Sequence, residues 1–121
     1  MTGRRRWRVR LSAAAEADFR DILRWTARQF GEAQAGVYHD VLASAIAALA
    51  DGPDAPGARE RDEIASGLMT LHVARGKRRG RHLILFRALT AREPPVIDVL
   101  RLLHDAMDLT RHVDPVADED Q

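Results

Sequence analysis

The amino-acid sequence predicts an α+β domain in which a helical hairpin packs on one face of a small antiparallel sheet. The predicted order is β-α-α-β-β-β with a short C-terminal closing segment. Three observations carry this. Two long stretches repeat apolar residues at three- and four-residue spacing and are separated by one glycine, Gly31. β-rich runs are confined to one alternating stretch before the helices and to residues 68–104 after them. Pro- and Gly-bearing segments separate the runs, so each reads as a short independent element.

Taken in order, Trp7, Val9 and Leu11 alternate with Arg8 and Arg10, the period of a half-buried strand. Ser12 follows as a good N-cap, because its hydroxyl can accept from an otherwise unpaired first-turn N–H. Residues 13–30 then place Ala15, Phe19, Ile22, Thr26 and Phe30 on one stripe. Glu16 and Asp18 near the start and Arg28 near the end suit the helix dipole. Gly31 is the stop, and a second helix is predicted over 32–51 on the stripe Ala35, Tyr38, Leu42, Ala45 and Leu49, widened by Val41, Ile46 and Ala48. Gly52-Pro53 ends it and residues 52–66 read as loop. Runs 68–74 and 82–89 flank a glycine-bearing hairpin loop, GKRRGR (76–81). After a turn at 90–95, residues 96–104 (VIDVLRLLH) are apolar enough for a central strand, with a closing segment near 105–111. One sheet face is expected to remain partly open as a binding surface.

The 121 residues fit one domain, expected over 1–112, followed by an acidic tail (113–121) whose composition is that of an unfolded segment. There is no cysteine, which excludes a disulfide scaffold, a thiolate nucleophile and cysteine metal sites and fits a cytoplasmic location. No apolar run approaches bilayer length, and the basic N-terminus lacks the apolar stretch of a signal peptide, so no membrane partner is expected. The net charge of +1 conceals segregation. Residues 72–92 hold six arginines and one lysine without an acid, whereas residues 105–121 hold six acids against one arginine. Such asymmetry suggests a polyanionic or acidic partner, although charge runs are more often solvated surface.

The chemistry-bearing residues exclude more than they specify. The five histidines (39, 72, 82, 104 and 112) form no helical i, i+4 ligand pair, and no HExxH, GxGxxG, GxxxxGK[ST] or GxSxG motif occurs, so no metal or cofactor is expected. Metal-free RNA cleavage needs cations, a base and an acid. Residues Arg75, Lys77, Arg78, Arg79, Arg81, Arg87 and Arg101 could supply charge, and His72, His82 or His104 the proton transfer. Equally, 75–81 reads as a solvated hairpin tip and Arg101 and His104 as partners of acids such as Asp98 or Asp108. Trp25 and Tyr38 read either as core residues or, for Trp25, as the lining of a groove for a partner helix.

Several stretches together resemble the ParE-type toxins of bacterial toxin–antitoxin modules: residues 11–53 from LSAAAEADFRDIL through the Gly-linked second helix, DEIASGL (62–68), RHLILFR (81–87) and VLRLLHDAMD (99–108). The resemblance spans about residues 8–112. It implies the fold just described, a non-enzymatic toxin held by a small ParD-like antitoxin in a hetero-oligomer, and DNA gyrase as target. Within it, Arg75, Arg81, Arg101, His104, Met107 and Asp108 are the expected target contacts, and Trp25, Phe30, Tyr38 and Val41 the expected antitoxin contacts. The related RelE-like branch cuts messenger RNA on the ribosome and tends to use a C-terminal tyrosine beside basic sheet residues. Here the only tyrosine is Tyr38, on a helix, which favours the gyrase branch. Two features depart from the pattern: Phe86 stands where a tyrosine is usual before Arg87, and the loop at 76–81 is longer and more basic than expected, which adds nucleic-acid contact through residues 75–81 to the expectations. A ribosome-dependent endoribonuclease and a toxin-derived binding module without toxicity are the alternatives.

Overall fold

A computed structural model of the chain describes residues 6–107. It contains β1 (Arg8–Leu11), α1 (Ala13–Phe30), α2 (Glu32–Ala48), a 3₁₀ segment (Leu49–Asp54), β2 (Arg59–Glu60), β3 (Leu68–His72), β4 (His82–Leu89) and β5 (Val96–His104). The residue 113–121 tail and Asp108 lie outside the described residues.

Ser12 starts α1 as its sequence position requires. Its backbone is extended, and its Oγ accepts from Ala15 N at 3.0 Å. The same hydroxyl donates to the Leu100 carbonyl at 2.9 Å, which ties the helix start to β5. Gly31 makes the turn between helices at φ +95°, a backbone region that side chains with a Cβ rarely enter. A single residue therefore reverses the chain, and the two helices lie side by side. The second helix is α-helical only to Ala48 and tightens to 3₁₀ geometry from Leu49.

The five strands form one sheet in the order β1-β5-β4-β3-β2. It is mixed, which refines the antiparallel expectation: β2, β3, β4 and β5 pair antiparallel, but β1 runs parallel to β5, with Arg8 opposite Val96 and Leu11 opposite Val99. The reason is the connection. Strands joined by short loops must reverse direction, whereas the route from β1 passes through both helices and is long enough to permit a parallel pair. The two-residue β2 lies within the stretch that reads as loop, because Arg59 and Glu60 carry no apolar pattern.

The helical hairpin covers one face of this sheet. Ala15, Leu42, Ala45 and Leu49 pack against Leu71, Ile84, Phe86, Ile97, Val99 and Leu102. The opposite face is less open than its sequence suggests, because Ile64 and Ala65 of the β2–β3 loop lie over Leu68, Leu83, Leu85 and Leu103. A bulge between Leu85 and Phe86 shifts the β4–β5 register. Beyond it, Leu102 and His104 share the helix-facing side with Ile97 and Val99, a switch that simple alternation would not produce.

β1 spans only the first half of β5. Where it ends, α1 takes over the exposed edge. Ser12 N donates to Val99 O, Ser12 Oγ donates to Leu100 O, and Leu102 N donates to the Asp18 carboxylate at 2.9 Å. A helix side chain thus satisfies a strand edge that would otherwise present unpaired backbone groups.

Candidate functional site

The feature that the fold builds at the far end of β5 is a groove of about 750 Å³ between the helical hairpin and the sheet. One wall is apolar and comes from α1, chiefly Ile22, Trp25, Thr26 and Phe30. The other is polar and comes from α2, the β3–β4 loop and the strand ends: Tyr38, Arg79, Arg81, His82 and His104.

The apolar wall follows from helical geometry. Ile22 and Thr26 lie on the stripe that faces inward, and Thr26 is buried with its hydroxyl donating to the Ile22 carbonyl at 2.7 Å. Trp25 is one position off that stripe, so its ring stands at the groove rim, 54% exposed. Phe30, the last residue of the helix, is 65% exposed and meets Trp25 edge-on at 5.8 Å between ring centroids. These two aromatic rings on one rim form an apolar patch of the kind that marks a protein-binding surface.

The polar wall is a connected network. The Tyr38 hydroxyl accepts from Arg81 N at 3.1 Å and shares a hydrogen bond with His82 Nδ1 at 2.7 Å. Burial pushes the Tyr38 phenol pKa upward, so it keeps its proton for that bond. His82 is pushed down to about 4, first by burial and then by the neighbouring His104, so it is neutral at physiological pH. His82 and His104 are directly opposite in the β4–β5 register and meet edge-to-face at 5.4 Å. Gly80 permits this arrangement: a Cβ there would sit 3.0 Å from the Tyr38 hydroxyl and closer still to Val73.

A second cluster occupies the other face at the same end of the sheet. His72 Nε2 lies 2.9 Å from Asp105 Oδ2, and Arg81 Nε approaches Asp105 Oδ1 at 3.5 Å. The His72 hydrogen bond, reinforced by Arg81, holds the Asp105 carboxyl below the usual carboxylate range. Asp105 N also donates to Arg81 O at 2.8 Å, so the end of β5 is fastened to the start of β4. Among the described residues no three or more His, Asp or Glu side chains are arranged to hold a metal ion.

The residues singled out in the sequence are dispersed in an informative way. Arg75, Arg81, His104 and Met107 all lie at this end of the sheet, and Arg81 and Met107 are exposed. Arg101 does not join them. Its guanidinium is bound by Asp18, Nε to Oδ2 at 2.7 Å and Nη2 to Oδ1 at 3.0 Å, and this bond raises its pKa. Its partner is thus a helix carboxylate rather than Asp98, which instead pairs with Arg10 at 3.2 Å. Trp25, Phe30 and Tyr38 line the groove, but Val41 does not: it is 4% exposed and turns inward beside Leu42. As a contact residue Val41 is therefore corrected to a core residue. Tyr38, whose place on a helix counts in the sequence against the nuclease branch, is carried by that helix onto the ends of the strands beside Arg81, His82 and His104. Asp18 and Asp105 are the two organising carboxylates that the sequence reading missed. The position of Asp18 near a helix start already had an explanation in the dipole, and Asp105 stood in a segment without periodicity.

Comparison with known proteins converges on one family. A family model described as "ParE toxin of type II toxin-antitoxin system, parDE" matches residues 9–109. A protein of Escherichia coli named Toxin ParE is 37% identical over 99 residues, covering 82% of this chain and 85% of that protein. A chain of a solved structure described as the chromosomal ParDE TA system from P. aeruginosa superposes with a TM-score of 0.64 over 81% of this chain and 95% of that one. At 17% identity, that last match is a likeness of fold.

Proposed function

Starting from the fact that the chain belongs to the ParE toxin family of type II toxin–antitoxin systems, we propose that it is the toxin of a ParDE-type module, neutralised by a ParD-like antitoxin and directed at DNA gyrase. In this reading the groove seats an amphipathic segment of the antitoxin. The supporting observation is the exposed Trp25–Phe30 pair on a groove whose opposite wall is cationic and hydrogen-bonding. An apolar rim with a polar floor is the arrangement that takes an amphipathic helix, with the aromatic rings as anchors. The target contacts in this reading are Arg75, Arg81, His104 and Met107 at the end of the sheet, with Asp108 beyond the described residues, while Arg101, held by Asp18, supports the end of β5 rather than meeting the target. A supercoiling assay with purified gyrase tests the target. Inhibition that is lost in Arg81→Ala and His104→Ala is the expected result, and unchanged supercoiling at high protein excess would count against it.

One observation favours a second reading, a ribosome-dependent endoribonuclease of the RelE-like kind. Tyr38, His82 and His104 stand together beside Arg79 and Arg81, which joins proton-transfer groups to cations able to neutralise a phosphate. Cleavage of ribosome-bound message, abolished by His104→Ala and by Arg81→Ala, would support it, and absence of cleavage would remove it. Growth arrest on expressing the chain alone separates both readings from a binding module without toxicity.

A further inference from the structure

Among the described residues, most of the charge in the cationic loop between β3 and β4 meets no carboxylate. Among the described residues Arg75, Lys77, Arg78 and Arg79 have no carboxylate partner, and Arg75 Nη1 is buried without a hydrogen bond. Arg81 of the loop is paired, and its partner is Asp105. Asp105 is the first acid of the C-terminal acidic stretch, and it follows the last residue of β5 directly. The chain therefore leaves the sheet at the loop itself, with Asp105 N bonded to Arg81 O and Met107 N to His104 O. Residues 108–121 then carry five acids against one arginine, three of them consecutive at Asp118, Glu119 and Asp120.

We propose that the acidic segment 113–121 of this chain docks on the cationic 75–81 loop, continuing the Asp105–Arg81 contact and covering the polar end of the groove. Charge complementarity identifies the occupant: a run of acids meets a run of cations that lack a carboxylate partner among the described residues. Reach permits it, since the eleven residues from Met107 to Asp118 extend to about 36 Å, far more than an adjacent loop requires. Tethering favours it, because the short linker places the segment at an effective concentration on the order of millimolar beside the loop. The segment would then act as a built-in competitor. Anything acidic or polyanionic that binds the loop would first displace it, and the strength of that competition would fall with salt.

The chain has no cysteine, so Ala117→Cys gives one attachment point for a nitroxide label on the full-length protein. The measurement is label-induced broadening of backbone amide signals in the free toxin. The expected result is strong broadening of residues 75–81 at about 0.02 M salt that is largely relieved at about 0.5 M. The strand β1, at the far edge beside β5, is expected to be unaffected. Adding D118N, E119Q and D120N to the labelled chain is expected to reduce loop broadening at least twofold. Broadening that is absent at low salt overturns the proposal. So does broadening that is identical in the neutralised variant, which would show tethering without docking. Broadening transferred to an unlabelled copy in a mixed sample overturns it as well, since the contact would then lie between molecules. None of these readouts involves antitoxin or gyrase, so a failure here leaves the proposed function standing, and the converse also holds.

Discussion

Arg10 and Arg101 of the sheet and the cations of the 75–81 loop are indistinguishable as residue types, yet the fold treats them differently. Each sheet arginine meets a carboxylate held in place by its own element: Asp98, 5% exposed on β5, for Arg10, and Asp18 on α1 for Arg101. Among the described residues the loop cations meet only Asp105, through Arg81. The difference teaches that positive charge becomes structural where secondary structure delivers a carboxylate to it, and stays available for partners where none arrives. Arg101 shows the point most clearly, because it lies in one of the segments that carry the family resemblance and is nevertheless tied to the helix.

If this division is right, substitutions on the two sides should separate stability from binding. The largest stability effect is expected for Asp18→Ala. It removes both hydrogen bonds to Arg101 and leaves Leu102 N–H without its acceptor, a loss of about 2 kcal/mol in chemical denaturation. A loss below about 0.5 kcal/mol would show that the pair is incidental. Arg10→Ala should cost less, about 1 kcal/mol, because Arg10 is half exposed although it leaves a buried carboxylate behind.

The histidine cluster gives a pH test of the same boundary. Since the folded pKa of His82, about 4, lies below its ordinary value of 6.5, the unfolded chain takes up the proton first on acidification. The His82 contribution is therefore fully present above pH 6.5 and is lost as pH falls toward 4. Asp105 adds a loss at lower pH, because its folded pKa is depressed below the usual 3.8. His82→Gln, which can still accept from Tyr38, is expected to flatten the stability profile between pH 6.5 and 4; an unchanged slope would refute the assignment. The smallest effect is expected for Arg78→Ala and Arg79→Ala, each within about 0.5 kcal/mol of the parent, in line with exposed cations that meet no carboxylate among the described residues.

Much of the architecture was legible because its signals are local. The stripe of Ala15, Phe19 and Ile22, the Ser12 cap and the Gly31 reversal depend on neighbours within a few residues. The direction of β1 was not legible, since alternation of Trp7, Val9 and Leu11 defines a strand without defining its partner. The bulge near Leu85 was likewise hidden, and with it the inward turn of Leu102 and His104. Of the residues expected as contacts, Arg81, His104, Trp25 and Phe30 line the groove. The approach of Tyr38 to the strand ends is hidden in the sequence, because sequence distance says nothing of where a helix carries a side chain, and Val41, expected as a contact, lies on a stripe that faces the core. Asp18 serves two purposes, and the helix dipole accounted for it before its contact with β5 could be seen.

The central claim is that the groove beside Trp25 and Phe30 seats the antitoxin. It is tested most directly by calorimetric titration of a ParD-like antitoxin into the parent toxin and into Trp25→Ala. Trp25 is more than half exposed and sits at the rim, so its removal should leave stability nearly unchanged while weakening binding about 30-fold, the effect of losing an aromatic anchor worth about 2 kcal/mol. Equal affinity of the two proteins would place the antitoxin elsewhere on the molecule and contradict the account.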